Sequence, residues 1–203
     1  MLHLDHIAVV AENLEDGRRW VEGILGVPLQ QGGKHDRFGT HNYLLGLGPD
    51  LYFEVIAKDP NAAPTGRPTW FGLDHFRGAP RLGNWICSAD DYDAALDSAP
   101  KTVGPALSLS RDDITWQLTA PDDGNLPFDG AFPSLIRWGE GVVPPPAKLP
   151  DQGVRLTKWE VHHPKASDIA KQVTMVDDRV VWVDGPQGFR AEFDTPAGTK
   201  VLT

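Results

Sequence analysis

Apolar residues occur along this chain in short bursts separated by turn residues. Leu4 to Ala11 is an apolar run broken only by Asp5 and His6, and it reads as a strand. Asn13 stands where a helix cap is needed, with Glu15 and Asp16 in an acidic first turn. Trp20, Val21, Ile24 and Leu25 then recur at helical spacing, and Gly26 followed by Pro28 ends the helix. Three strands are predicted next, over Val27–Gln31, His41–Leu47 and Leu51–Ala57, with turns at Gln31-Gly32-Gly33 and Pro49-Asp50.

The order then repeats. Asn84–Ser88 reads as a strand, Asp90–Leu96 as a short helix with an acidic cap, and Ala106–Ser110, Ile114–Ala120 and Phe132–Trp138 as strands. Aligning Val9–Leu14 with Cys87–Tyr92 gives an offset of 78 residues and sets His6 opposite Asn84. Asp59 to Pro80 is rich in Pro, Gly and Ala and reads as a linker. A second Pro-rich stretch, Val142–Pro150, precedes strand Arg155–His162, helix Ala166–Val173 and strands Val180–Asp184 and Phe189–Asp194. This tail reads as a separate half-module; the alternative is that it completes the second module. The division predicted is a first βαβββ module over residues 1–58, a linker over 59–82, a second module over 83–140, and a Pro-rich linker with a β-α-β-β half-module over 141–203.

Composition narrows the function classes. A formal net charge of -9 argues against a nucleic-acid partner, which would favour a basic face. Hydrophobic residues make up 40% and no apolar run reaches bilayer length, so no membrane partner is expected. The chain has one cysteine, Cys87, which excludes an internal disulfide and suits a reducing compartment. With no basic stretch and long apolar run at the start, a cytoplasmic protein is expected. Cys87 lies mid-strand with no nucleophile motif around it and reads as a buried, inert thiol.

Three stretches carry a resemblance: Leu4-Asp5-His6-Ile7-Ala8-Val9-Val10; Gly32-Gly33-Lys34-His35 with Gly39-Thr40-His41-Asn42-Tyr43; and Leu51-Tyr52-Phe53-Glu54-Val55-Ile56. Together, and in this order, they resemble the glyoxalase-like branch of the vicinal oxygen chelate superfamily, over about residues 2–138. The resemblance implies an α+β fold of tandem βαβββ modules forming curved mixed sheets, here with a C-terminal extra half-module. It also implies that His6 and Glu54, on neighbouring first and fourth strands, share one concave sheet and ligate a divalent metal such as Zn, Fe, Mn or Ni. Such a metal would bind two vicinal oxygens of a substrate. Glu54 is the catalytic candidate on the same ground.

The residues taken alone also allow a His6 hydrogen-bonded to Asp5 and a Glu54 facing solvent. Asn84, opposite His6, is a poor ligand, and Leu135 or Ile136, opposite Glu54, is none. His35, His41, Glu160, His162 and His163 are further donors that could complete a metal shell. His35, Asn42, Asn84, Trp85 and Arg137 are candidates for holding a small-molecule substrate, with Trp138 a further flat wall. Two functions stay open: a metal-dependent lyase, isomerase or dioxygenase acting on a small oxygenated metabolite, and a metal-free small-molecule binding or sequestering protein. A homodimer is expected, because strand edges need covering.

Overall fold

The computed structural model describes all 203 residues. Module one runs β1 (Leu2–Val10), α1 (Leu14–Leu25), β2 (Gln30–His35), β3 (Thr40–Gly46) and β4 (Tyr52–Lys58). Asn13 caps α1, its side chain accepting from the Glu15 and Asp16 amides, and Gly26 closes it in the left-handed conformation at φ 74. Module two runs β5 (Arg81–Ala89), α2 (Tyr92–Ser98), β6 (Ala106–Arg111), β7 (Ile114–Thr119) and β8 (Ser134–Trp138). Asp91 caps α2, which keeps the offset of 78 from Asn13.

The two modules join into one 8-stranded sheet in the order β2-β3-β4-β1-β5-β8-β7-β6. β1 lies parallel to β4 and antiparallel to β5, and β5 lies parallel to β8. The sheet curls until its outermost strands meet: the Arg111 side chain of β6 lies against Gly33 of β2, and Arg37 Nη1 donates to the Ser108 carbonyl at 3.1 Å. The result is a mixed α+β architecture of tandem βαβββ modules with a nearly closed, curved sheet, as the resemblance implied.

The tail forms β9 (Arg155–His163), α3 (Ala166–Ala170), β10 (Val180–Asp184), β11 (Gly188–Thr195) and β12 (Gly198–Leu202), a second sheet in the order β10-β9-β11-β12. β12 is a strand beyond those read from the pattern; Gly198-Thr199-Lys200-Val201-Leu202 places only Leu202 in the core. This sheet packs on the convex side of the first. Trp159, Phe189 and Phe193 join Ile7, Phe53, Val55 and Trp85 in a single apolar cluster, with Trp159 stacked on Phe189 at 4.9 Å.

The concave side holds a second cluster, and its plug comes from the stretch read as a linker. Trp70, Phe71, Leu73 and Phe76 are buried there against Val10, Ile56, Ile86 and Ile136. Gly and Pro supply the turns of this segment, while its aromatics pack against the concave face of the sheet.

Candidate functional site

Side chains alternate across a strand, so a β-bulge changes which face they serve. In β1, Leu2 and Leu4 belong to the convex core, and so do Ile7 and Val9. The phase slips between them because Leu4 pairs with Cys87 and His6 with Ile86, leaving Asp5 as an extra residue. His6 thereby turns to the concave side, where its ring lies 4.3 Å from that of Tyr52 and nearly parallel to it. His6 Nδ1 and Asp5 Oδ1 are 2.7 Å apart, and Asp5 Oδ2 accepts from the Trp138 indole at 2.9 Å. That bond assigns the Nδ1 proton to the Asp5 side and leaves Nε2 facing inward.

Glu54 reaches the same space from β4, between Phe53 and Val55 in the opposite core. Its Oε2 lies 3.8 Å from His6 Nε2, and its Oε1 accepts from Asn42 Nδ2 at 2.5 Å. Asn42 is itself oriented by the Gly33 amide, which donates to Asn42 Oδ1 at 2.8 Å. Gly32 and Gly33 lie inside β2 and not in a turn before it: Gln31 pairs with Tyr43 and Lys34 with His41, so the two glycines bulge opposite Asn42. A Cβ on Gly32 would lie 2.0 Å from Asn42 Oδ1, which is why no side chain stands there.

His35 closes the next wall. His35 Nδ1 and Thr40 Oγ1 are 3.0 Å apart, Thr40 Oγ1 accepts from the Trp70 indole at 3.2 Å, and Arg111 Nη1 approaches His35 Nε2 at 3.4 Å. With a guanidinium donating to Nε2, the ring proton belongs on Nδ1. Burial, then the charge of Arg111, push the His35 pKa down to about 3, so the ring is neutral at ordinary pH. Burial also pushes the Tyr52 phenol well above its usual range. These side chains, with Trp116 and Trp138, enclose a cavity of about 40 Å³, room for a few waters or a small polar molecule.

Of the candidates, His6, Glu54, Asn42 and His35 therefore meet around one pocket. Asn84, Trp85 and Arg137 do not line it. Trp85 points to the convex core, its indole donating to the Gly130 carbonyl at 3.2 Å, because it sits one residue out of phase with Asn84. Arg137 is exposed on the outer side, paired with Asp93 and Gln117 and lying over the Tyr92 ring. Asn84 is fully buried and donates to Ser134 Oγ at 3.3 Å. His41 alternates to the outer face of β3, and Glu160, His162 and His163 lie in the four-stranded sheet. Tyr52, Trp70, Trp116 and Arg111 are pocket residues that the pattern did not single out.

Register identifies the second module's counterparts. Ala8 pairs with Glu54 and Ile86 with Ser134, so Asn84 and Ser134 stand where His6 and Glu54 stand in module one. Zinc centres take at least three protein donors, some of which the resemblance would draw from the second module. Here two donors face the cavity, their counterparts are a neutral amide and a hydroxyl bonded to each other, and no three His, Cys, Asp or Glu side chains converge. Arg111 adds a positive charge to the same wall. This donor set does not fit a metal centre with three or four protein ligands.

The family of glyoxalase-like domains matches residues 4–176. The chain belongs to the glyoxalase-like domain family. A hypothetical protein from Staphylococcus aureus is similar over 95% of this chain and 81% of its own, at 16% identity and a TM-score of 0.59. A hypothetical protein from Bacillus halodurans covers 70% of this chain and 97% of its own, at 12% identity and a TM-score of 0.45. A Streptomyces coelicolor methylmalonyl-CoA epimerase covers 66% of this chain and 94% of its own, at 14% identity and a TM-score of 0.43. The likeness to the Staphylococcus aureus protein concerns the fold alone. No curated protein matches this glyoxalase-like chain by sequence. No helix in it is long and apolar enough to cross a membrane.

Proposed function

We propose that this glyoxalase-like protein is an enzyme that transfers a proton on a small oxygenated molecule held in the pocket, an isomerase or lyase reaction. One observation carries the reading. His6 and Glu54 each have one polar atom committed, Nδ1 to Asp5 and Oε1 to Asn42, and their free atoms, Nε2 and Oε2, stand 3.8 Å apart at the same cavity. Two such groups suit the work of taking a proton from one side of a bound carbon or oxygen and returning it to the same or a neighbouring atom. Aromatic walls exclude bulk water and strengthen both interactions.

The test needs no prior substrate. Small oxo and hydroxy acids and their esters are incubated with the protein in D₂O, and exchange at the carbon beside the carbonyl is followed by proton NMR. Exchange with at least one compound is expected, slowed by about 10²- to 10⁴-fold in His6→Gln and in Glu54→Gln with the fold intact. Exchange that ignores both substitutions, or that arises only when Zn, Mn, Fe or Ni is added, overturns the reading in favour of metal-assisted chemistry or of a different site. Binding without any exchange supports the second reading, a sequestering protein, which the small, aromatic-walled cavity also suits.

A homodimer remains part of this proposal. In the large sheet β2 and β6 meet through side chains without pairing, so the edge-covering argument applies to them as well as to β10 and β12 of the four-stranded sheet.

A further inference from the structure

The pocket contains one permanent cation, and no carboxylate of the protein pairs with it. Arg111 ends β6 and extends across the seam to the wall formed by β2. Its single hydrogen bond is to His35 Nε2, and it forms no ion pair, whereas Arg18, Arg137, Arg155, Arg179 and Arg190 each hold a carboxylate. The guanidinium is held in place from two sides. His35 accepts from it as a neutral ring, and the backbone of Gly33 forms its seat: a Cβ at Gly33 would lie 2.6 Å from Arg111 Cδ and 2.7 Å from Nε and Nη1. A cation positioned this way, without a counter-ion, faces a cavity whose one lining carboxylate is that of Glu54. A neutral ligand would gain little from it. An anionic one needs it, because Glu54 would otherwise repel the ligand.

We propose that Arg111 anchors a carboxylate, so that the substrate is a small oxygenated acid with its anionic end on Arg111 and its reacting carbon toward His6 and Glu54. This rests on reading the pocket as a substrate site and adds the class of molecule. A planar guanidinium fork matches the two oxygens of a carboxylate, which lysine does not. The anchor belongs to module two and the proton-transfer pair to module one, so only the closed sheet brings them together. Arg111 is a specificity residue; His35 and Gly33 position it.

The probes are pyruvate, glycolate and malonate, each compared with its uncharged amide. Binding is read by quenching of tryptophan fluorescence, since Trp70, Trp116 and Trp138 surround the cavity. At least one acid is expected to bind tenfold or more tighter than its amide. Arg111→Gln should weaken the acid by roughly tenfold to hundredfold and leave the amide unchanged, and Arg111→Lys should recover only part. Gly33→Ala, which displaces the guanidinium without removing it, should give an intermediate loss, with thermal unfolding confirming that each variant is folded. His6→Gln should keep the acid preference, which separates this proposal from the proton-transfer reading: that reading fails in the exchange assay, and this one fails here. Absence of any acid preference in the natural protein, no binding of any of the three acids, or a preference that survives Arg111→Gln overturns it.

Discussion

Replacing Asn42 with Leu tests how the site is held. Asn42 is 5% exposed, and its amide is the sole bridge between the Gly33 N–H and Glu54 Oε1. Leucine fills a similar volume but leaves two groups without partners: one oxygen of a buried carboxylate and one backbone N–H. A hydrogen bond to a charged group is worth about 1.5–3 kcal/mol, and an orphaned buried donor adds about 1 kcal/mol. The single substitution should therefore cost about 2.5–4 kcal/mol, a fall in melting temperature of roughly 5–16 °C at this chain length. Urea unfolding at neutral pH, with the midpoint moving and the slope unchanged, is the assay.

The double variant Asn42→Leu/Glu54→Leu carries the sharper expectation. Removing both members of a buried polar pair abolishes the uncompensated charge, so the double variant should be more stable than Asn42→Leu alone. The two effects should fail to add by about 1–3 kcal/mol. A single substitution costing under about 0.5 kcal/mol, or a double whose cost is the sum of the singles, would refute the claim that Asn42 compensates Glu54.

Other outcomes follow from the same structure. His35 has a folded pKa of about 3 against 6.5 unfolded, so below pH 6.5 the unfolded chain binds a proton that the folded one refuses. Its contribution is complete above pH 6.5 and is lost as pH falls toward 3, by at most about 1.4 kcal/mol per unit and less because the ring is partly exposed; equal pH slopes for the natural protein and His35→Gln would contradict this. Cys87 is fully buried, and burial raises its thiol well above the usual range; it should react with a thiol reagent only at the rate of unfolding, and fast labelling of the folded protein would be the contrary result. Trp159→Ala should cost about 3–5 kcal/mol and lower one cooperative transition, since the two sheets share a core; two separate transitions would show that the sheets fold independently.

What was legible depended on how local its cause is. Strand order, the helix caps and the pairing of His6 with Glu54 followed from periodicity and a resemblance spanning short stretches. Arg111 was hidden because it adjoins a charged turn, Asp112-Asp113, with Asp112 at φ 53, and so reads as solvent-facing. Only the curl that brings β6 to β2 turns it inward, and no window of sequence contains both strands. Trp70 and Phe71 were hidden by their neighbours: Gly and Pro mark a linker, yet four large apolar residues within Trp70–Phe76 cannot all be left in water without an appreciable penalty. Trp85 and Arg137 were placed near the site by their neighbourhood, and strand parity sends both elsewhere.

The bulge in β1 could have been read. Leu2 and Leu4 are in one phase and Ile7 and Val9 in the other, and a strand with one buried face cannot accommodate both without an extra residue between them. The second copy repeats the slip at the same offset of 78 residues: Leu82 belongs with Trp85 and Cys87, and the register skips Gly83 as it skips Asp5. A phase change that recurs in both modules belongs to the fold and not to the site. What differs is the pair of residues it presents. Module one offers Asp5 and His6, a carboxylate holding an imidazole. Module two offers Gly83 and Asn84, where the missing side chain gives its space to Val10, 2.5 Å from where a Cβ would stand. The architecture thus supplies two equivalent positions for a polar group on the concave sheet. This chain places an imidazole and a carboxylate on one of them, while at the other the buried Asn84 amide and Ser134 hydroxyl are bonded to each other and present no titratable group.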